Sequence, residues 1–133
     1  MTTQQIKSAI VSIIGGEITT IPTVDAEQLS EVELPFIGVT MTTERISNAL
    51  PKAYRGTVEI KLRAHSGDDL TVDAINDITN DLETLLASGF AALINAELDG
   101  IHIDYFATNG GVPQWESDSL ECAFDCDIVF QTT

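Results

Sequence analysis

Aspartates recur every fourth residue at Asp69, Asp73, Asp77 and Asp81, with Asp68 leading the series. On a helix, that spacing lines the carboxylates along one face. Aspartate-rich stretches hold divalent cations in prenyl-transfer enzymes. That chemistry needs an all-helical cavity and a second acidic cluster, and a chain of 133 residues with strong strand patterns supplies neither. Two readings of the series remain, a plain solvated face or an acidic docking face. Solvation alone has a cost, because like charges at i,i+4 destabilise a helix by roughly 0.2–0.5 kcal/mol per pair. The helix dipole relieves only the first turn, and Asp77 and Asp81 lie beyond it. A positively charged partner surface would offset the remainder.

The positive counterpart is concentrated elsewhere. Five of the six basic residues are Arg45, Lys52, Arg55, Lys61 and Arg63, and beyond Arg63 the chain has 14 Asp and Glu but no Lys or Arg. Arg55, Lys61 and Arg63 fall on the same side of one strand, with Glu59 among them. Either Lys61 or Arg63 pairs across a sheet with Asp125 or Asp127 of the last strand, or the basic strand-and-loop region docks on the acidic face of another copy. Two different patches meeting head to tail is the heterologous geometry that closes into rings. With a formal net charge of −15 the chain makes a poor partner for DNA, which is bound by neutralising phosphates, or for an anionic membrane.

Catalytic chemistry finds little purchase. His65 ends one strand and His102 sits on the wet face of another, neither beside a recognisable nucleophile. GxSxG, HExxH and phosphate-loop patterns are absent from the sequence. No enzymatic activity and no cofactor are expected. Cys122 and Cys126 fall four residues apart on one strand, roughly 13 Å between Cα atoms and beyond disulfide reach. Their spacing with the histidines fits no zinc pattern, so they read as buried small apolar residues. Trp115, in a loop rich in Gly, Pro, Glu and Asp, is either a lid on the core edge or an interface anchor.

The elements that must position these residues follow from periodicity. Ile6, Ala9, Ile10, Ile13 and Ile14 have helical spacing and precede Gly15-Gly16, a helix with a glycine stop. Residues 17–34, with Pro22 and the carboxylates Asp25, Glu27, Glu31 and Glu33, read as an exposed excursion, although Ile18, Ile21 and Val24 allow a short extended piece. Ile37, Val39 and Met41 alternate with polar residues after Pro35. Val58, Ile60, Leu62 and Ala64 do so more strongly, each run giving a half-buried strand. Ser66 caps a helix whose stripe of Leu70, Ile75, Ile78, Leu82, Leu85 and Leu86 ends at Gly89. Residues 90–98 have the pattern of a further short helix. Ile101, Ile103 and Tyr105 mark a third strand. Leu120, Cys122, Phe124, Cys126, Ile128 and Phe130 mark the last and strongest, its polar side interrupted by Ala123 and Val129. The expected fold is a single α+β domain over residues 1–133, order α-β-β-α-β-β. It has a four-stranded, largely antiparallel sheet with two helices on one face. No apolar run reaches the ~20 residues of a membrane helix. The N-terminus lacks the basic region of a secretion signal, so synthesis in the cytoplasm is expected.

The order of these elements resembles the tail terminator proteins of long-tailed bacteriophages and their relatives among head–tail joining proteins. The resemblance rests on the N-terminal helix closed by Gly15 and on Pro35-Phe36-Ile37-Gly38-Val39. It continues in the alternating strand 54–64 running into the long helix 69–88, the loop at Gln114-Trp115-Glu116 and the closing strand 120–130. It covers nearly the whole chain and lies in element order and size rather than in invariant residues. What it implies is a homohexameric ring in the virion tail or neck, assembled in the host cytoplasm. The ring would cap the tail tube, stop its polymerisation and join it to the head connector. The implied partners are further copies of the chain, the tail tube protein and a head-connector or neck protein, with DNA passing through an acidic opening without being gripped. Another neck or tube ring subunit, or an acidic monomeric module that binds a basic partner, are the alternatives. The long acidic segment 17–34 departs from the family pattern.

Overall fold

The computed structural model describes residues 2–25, 36–47, 52–65, 72–87, 89–109, 114–115 and 119–132. The elements run α1 (Thr2–Glu17), β1 (Thr23–Asp25), β2 (Phe36–Ser47), β3 (Lys52–His65) and α2 (Val72–Ala87). They continue with α3 (Phe90–Glu97), β4 (Ile101–Asn109), β5 (Gln114–Trp115) and β6 (Ser119–Thr132). The chain is a single α+β domain with three helices and a mixed sheet of strand order β1-β2-β3-β6-β4. The two-residue β5 also pairs with β6. Since β3 occupies one edge of β6 from Ser119 to Thr132, β4 and β5 must share the other.

The sheet therefore has five strands in series rather than the expected four, and three helices rather than two. The additional strand is β1, which pairs parallel to β2 with Thr23 opposite Ile37 and Asp25 opposite Val39. Every other pairing is antiparallel, as expected. The short extended piece allowed around Val24 is this strand, but three residues beside Pro22 carry too little alternation to place it in the sheet, and residues 18–25 are not the exposed excursion expected. What holds it is tertiary: Ile18 and Ile21 are buried, and the Ile37 amide donates to the Pro22 carbonyl at 2.9 Å. Nor does α1 stop at Gly15. It continues through both glycines to Glu17, and the Ile18 amide still reaches the Ile14 carbonyl at 2.8 Å. Glycine in a helix costs about 1 kcal/mol relative to alanine, which the buried Ile18 and Ile21 beyond it offset. Gly89, by contrast, is where α2 ends and α3 begins, in the left-handed region at φ 73°.

The core lies between the helices and one face of the sheet. Ile6, Ile10 and Ile14 of α1, Ile75, Ile78 and Leu82 of α2, and Phe90 and Ile94 of α3 pack on it. The sheet contributes Ile37, Val39, Val58, Ile60, Leu62, Cys122, Phe124, Cys126, Ile128 and Phe130. Fully burying a side chain of this kind contributes about 1.5–3 kcal/mol. Tyr54 stacks on Phe130 with ring centroids 5.1 Å apart, and Phe90 meets Phe106 at 4.9 Å. α1 lies over β1 and β2, whereas α2 and α3 lie against β4.

Register shifts interrupt β2 between Arg45 and Ser47 and β4 between Ile103 and Tyr105. A bulge at Asp104 shifts the register so that Ile103 faces Phe130 but Tyr105 faces Val129. Tyr105, expected on the apolar side with Ile101 and Ile103, is thereby turned to the outer face and is 53 % exposed. Phe106 takes the inner position, packed against the core.

Candidate functional site

The outer face of the sheet is built from the alternate residues that the core does not use. Register sets its charge pattern. Arg63 stands opposite Glu121, Lys61 opposite Ala123, Glu59 opposite Asp125, Thr57 opposite Asp127, and Arg55 opposite Val129 on one side and Glu44 on the other. Lys61 Nζ lies 3.3 Å from Glu59 Oε1 and 3.2 Å from Glu121 Oε1, and Arg63 Nε lies 3.7 Å from Glu121 Oε2. Arg55 pairs with Glu44. Cross-sheet pairing thus occurs, but with Glu121 and Glu44 rather than with Asp125 or Asp127. The strand register carries those two aspartates away from the cations, toward Glu59 and Thr57.

These pairs are weakly held. Arg55 and Glu44 are 65 % and 60 % exposed, a setting in which an ion pair contributes about 0–1 kcal/mol. Lys61 is the most enclosed of the outer cations. Burial, its largest single influence, works downward, yet bonding and charge from Glu121 and Glu59 together raise its pKa. Beside Arg55 a recess of about 510 Å³ is lined by Thr42, Thr43, Glu44, Gly56, Thr57 and Asp127. Its walls are threonines, a glycine and charged side chains.

The remaining expected residues separate. Lys52 is half-exposed at the end of β3, opposite Thr132. Arg45 lies in β2 opposite Tyr54; its side chain, like that of Trp115 in β5, lies outside the described residues, as does Asp69. Asp73, Asp77 and Asp81 are all exposed along α2. The acidic helix and the basic strand therefore occupy different layers of the molecule and do not meet within one copy.

Sequence reasoning missed one charged site entirely. Lys7 Nζ lies 3.3 Å from Asp25 Oδ1, with side chains only 4 % and 14 % exposed, and Gln4 Nε2 donates to Asp25 Oδ2 at 3.1 Å. This buried pair ties α1 to β1. Its signal was present in the spacing, since Lys7 follows Ile6 and precedes Ile10 and Ile14 by three and seven residues, inside the apolar stripe.

Cys122 and Cys126 are both free and buried, as their spacing predicts. Burial, eased slightly by the Thr108 hydroxyl, pushes the Cys126 thiol up to about 11, and burial also raises Cys122 beside Thr79. Neither forms a thiolate near neutrality, so neither is an activated nucleophile. His102 is exposed, 3.5 Å from Asp104 Oδ1. Among the described residues no group of three or more His, Cys, Asp or Glu is placed to hold a metal ion, and no helix is long and apolar enough to cross a membrane. No known protein-family model matches the chain, and a comparison with curated proteins finds no significant relative.

Proposed function

We propose that this chain is a structural subunit that associates with copies of itself into a ring, and that the ring is the tail terminator of a long-tailed phage. In that role it halts growth of the tail tube, joins the tube to the head connector and lets DNA pass. It carries out no enzymatic reaction.

The observation that carries this reading is the spatial segregation of charge. Among the lysines and arginines whose side chains are described, all but Lys7 belong to β3, whereas α2, β4 and β6 carry carboxylates and no lysine or arginine. Complementary surfaces on different parts of one fold suit head-to-tail contact between copies. The pairs formed by Arg55, Lys61 and Arg63 do not oppose this, because exposed ion pairs exchange partners at a cost of about 1 kcal/mol or less. Asp73, Asp77 and Asp81 supply carboxylates that a neighbouring copy would satisfy, with Lys52, Arg45, Asp69 and Trp115 as further candidate contacts. The order of strands and helices supports the particular role, through the family it resembles.

Electron microscopy and sedimentation of the purified chain test the reading. A ring of about six copies is expected, and the triple change Arg55→Glu, Lys61→Glu and Arg63→Glu should abolish it while circular dichroism stays unchanged. Phage lacking the protein should carry overlong tails. Normal tails without heads would indicate another neck component, and a salt-sensitive monomer bound to a basic partner would replace the ring altogether.

A further inference from the structure

Asn109 is the last residue of β4 and is exposed, and Gly110 follows it in the sequence. A glycine after an asparagine leaves the next backbone nitrogen unshielded by a side chain, so that nitrogen can reach the carboxamide carbon and close a five-membered ring. The chain has five asparagines, Asn48, Asn76, Asn80, Asn95 and Asn109, and the other four precede Ala or Asp. Asn76 and Asn80 lie in α2 and Asn95 in α3, where the helical ladder holds the following nitrogen. Ile103 also holds the Asn95 carboxamide at both its atoms. Among the described residues no side-chain hydrogen bond holds that of Asn109.

The surroundings make a change of charge at this position consequential. Register places Asn109 opposite Asp125, and Asp125 opposite Glu59 of β3, so the three form one row across the outer face of the sheet. Glu59 holds Lys61 at 3.3 Å, whereas Asp125 has no ion-pair partner among the described residues. Asn109 is the neutral end of this row.

We infer that Asn109 is a site of spontaneous deamidation, which adds a carboxylate beside Asp125 as the protein ages. The Gly110 nitrogen bonds to Asn109 Cγ, the Cγ–Nδ2 bond breaks, and ammonia leaves with the amide proton. Water then opens the ring at either carbonyl. Attack at Cγ gives aspartate, and attack at the backbone carbonyl gives isoaspartate, whose main chain runs through Cγ. One water is consumed and one ammonia released, with no oxidant or reductant. Both products set like charge directly opposite Asp125, which is unfavourable across strands. Isoaspartate also lengthens the backbone where β4 ends.

Peptide mapping of the full chain tests the assignment. Cleavage after Phe106 and Trp115 isolates residues 107–115, in which Asn109 is the sole asparagine. Incubating the folded protein in mildly alkaline buffer should raise the mass of this peptide by the difference between NH and O, before peptides carrying Asn76, Asn80 or Asn95 change. Asn109→Gln should abolish the rise, which separates Asn109 from Gln114 of the same peptide. Asn109→Asp should lower the urea midpoint at low salt, and the loss should shrink at about 1 M salt, where charges are screened beyond ~3 Å. A constant mass for residues 107–115, or a gain that persists in Asn109→Gln, overturns the assignment. An unchanged midpoint for Asn109→Asp at low salt overturns the effect on the carboxylate row.

Discussion

Removing the Asp25 carboxylate should be among the most damaging single changes to stability, and the structure allows its size to be worked out. Lys7 Nζ sits 3.3 Å from Asp25 Oδ1, and its side chain is only 4 % exposed. At an effective dielectric of ~20 two unit charges at this distance attract by about 5 kcal/mol. Taking both ions out of water costs several kcal/mol each, so the intact pair is close to neutral against an apolar pair of similar volume. Breaking it is not neutral. Asp25→Ala leaves the buried ammonium without that carboxylate, at an expected cost of about 3–5 kcal/mol, and Gln4 keeps only the Ser8 hydroxyl of its two acceptors. Lys7→Met places a flexible apolar chain beside Ile6 and Ile10. The Asp25 it leaves behind is nearer to water, so about 1–3 kcal/mol is expected. The double variant Lys7→Met/Asp25→Ala should then be more stable than Asp25→Ala alone. Urea unfolding at pH 7, arranged as a double-mutant cycle, measures all three. A loss below about 1 kcal/mol for Asp25→Ala, or strictly additive single changes, would refute the reasoning.

Three further outcomes follow from described geometry. Burial raises Cys126 from 9.0 to about 11, so between those values the unfolded chain loses its thiol proton while the folded one keeps it. Stability should hold to about pH 9 and then fall by about 2–3 kcal/mol toward pH 11, a slope that Cys126→Ala should flatten. The raised Lys61 adds loss in the same direction as pH climbs past its ordinary 10.5. A Cβ at Gly56 would lie 2.4 Å from the Thr42 carbonyl oxygen and 3.0 Å from Thr43 Cγ2. Gly56→Ala should therefore push β2 from β3 and cost about 1–3 kcal/mol in urea unfolding; an unchanged midpoint would rule this out. The Asn95 carboxamide accepts from the Ile103 amide at 2.7 Å and donates to its carbonyl at 3.1 Å, standing in for a neighbouring strand. Asn95→Ala should cost about 1–3 kcal/mol and increase light scattering on heating through the opened edge. Unaltered amide-exchange protection at Ile103 would count against it.

How far the fold can be read from sequence differs element by element. β3 and β6 were legible because an apolar residue recurs at every second position over Val58–Ala64 and Leu120–Phe130, and α2 because its apolar stripe repeats at helical period. β1 was not, since three residues carry no usable period and only the packing of Ile18 and Ile21 holds them in place. Tyr105 was assigned the wrong face because one extra residue at Asp104 inverts every later side chain, and nothing local marks the bulge. In the candidate site, the polarity of the charges was legible from composition alone. Which carboxylate meets which cation was not, because that depends on the register of β3 against β6. Lys7 and Asp25 were passed over for another reason: a charged residue inside an apolar stripe is easily taken for a stripe edge until its partner is known.

The two strands at the centre of the sheet, β3 and β6, are separated by the 53 residues between His65 and Ser119. Bringing such ends together carries an entropic cost of about 3.5 kcal/mol plus a constant before any ladder bond forms. Sheets closed by distant partners form slowly, on the order of milliseconds to seconds. During that interval the apolar edges that will become the interior stand open to collisions with other nascent chains. The excess of 15 negative charges repels such encounters at a stage when no contact surface yet exists.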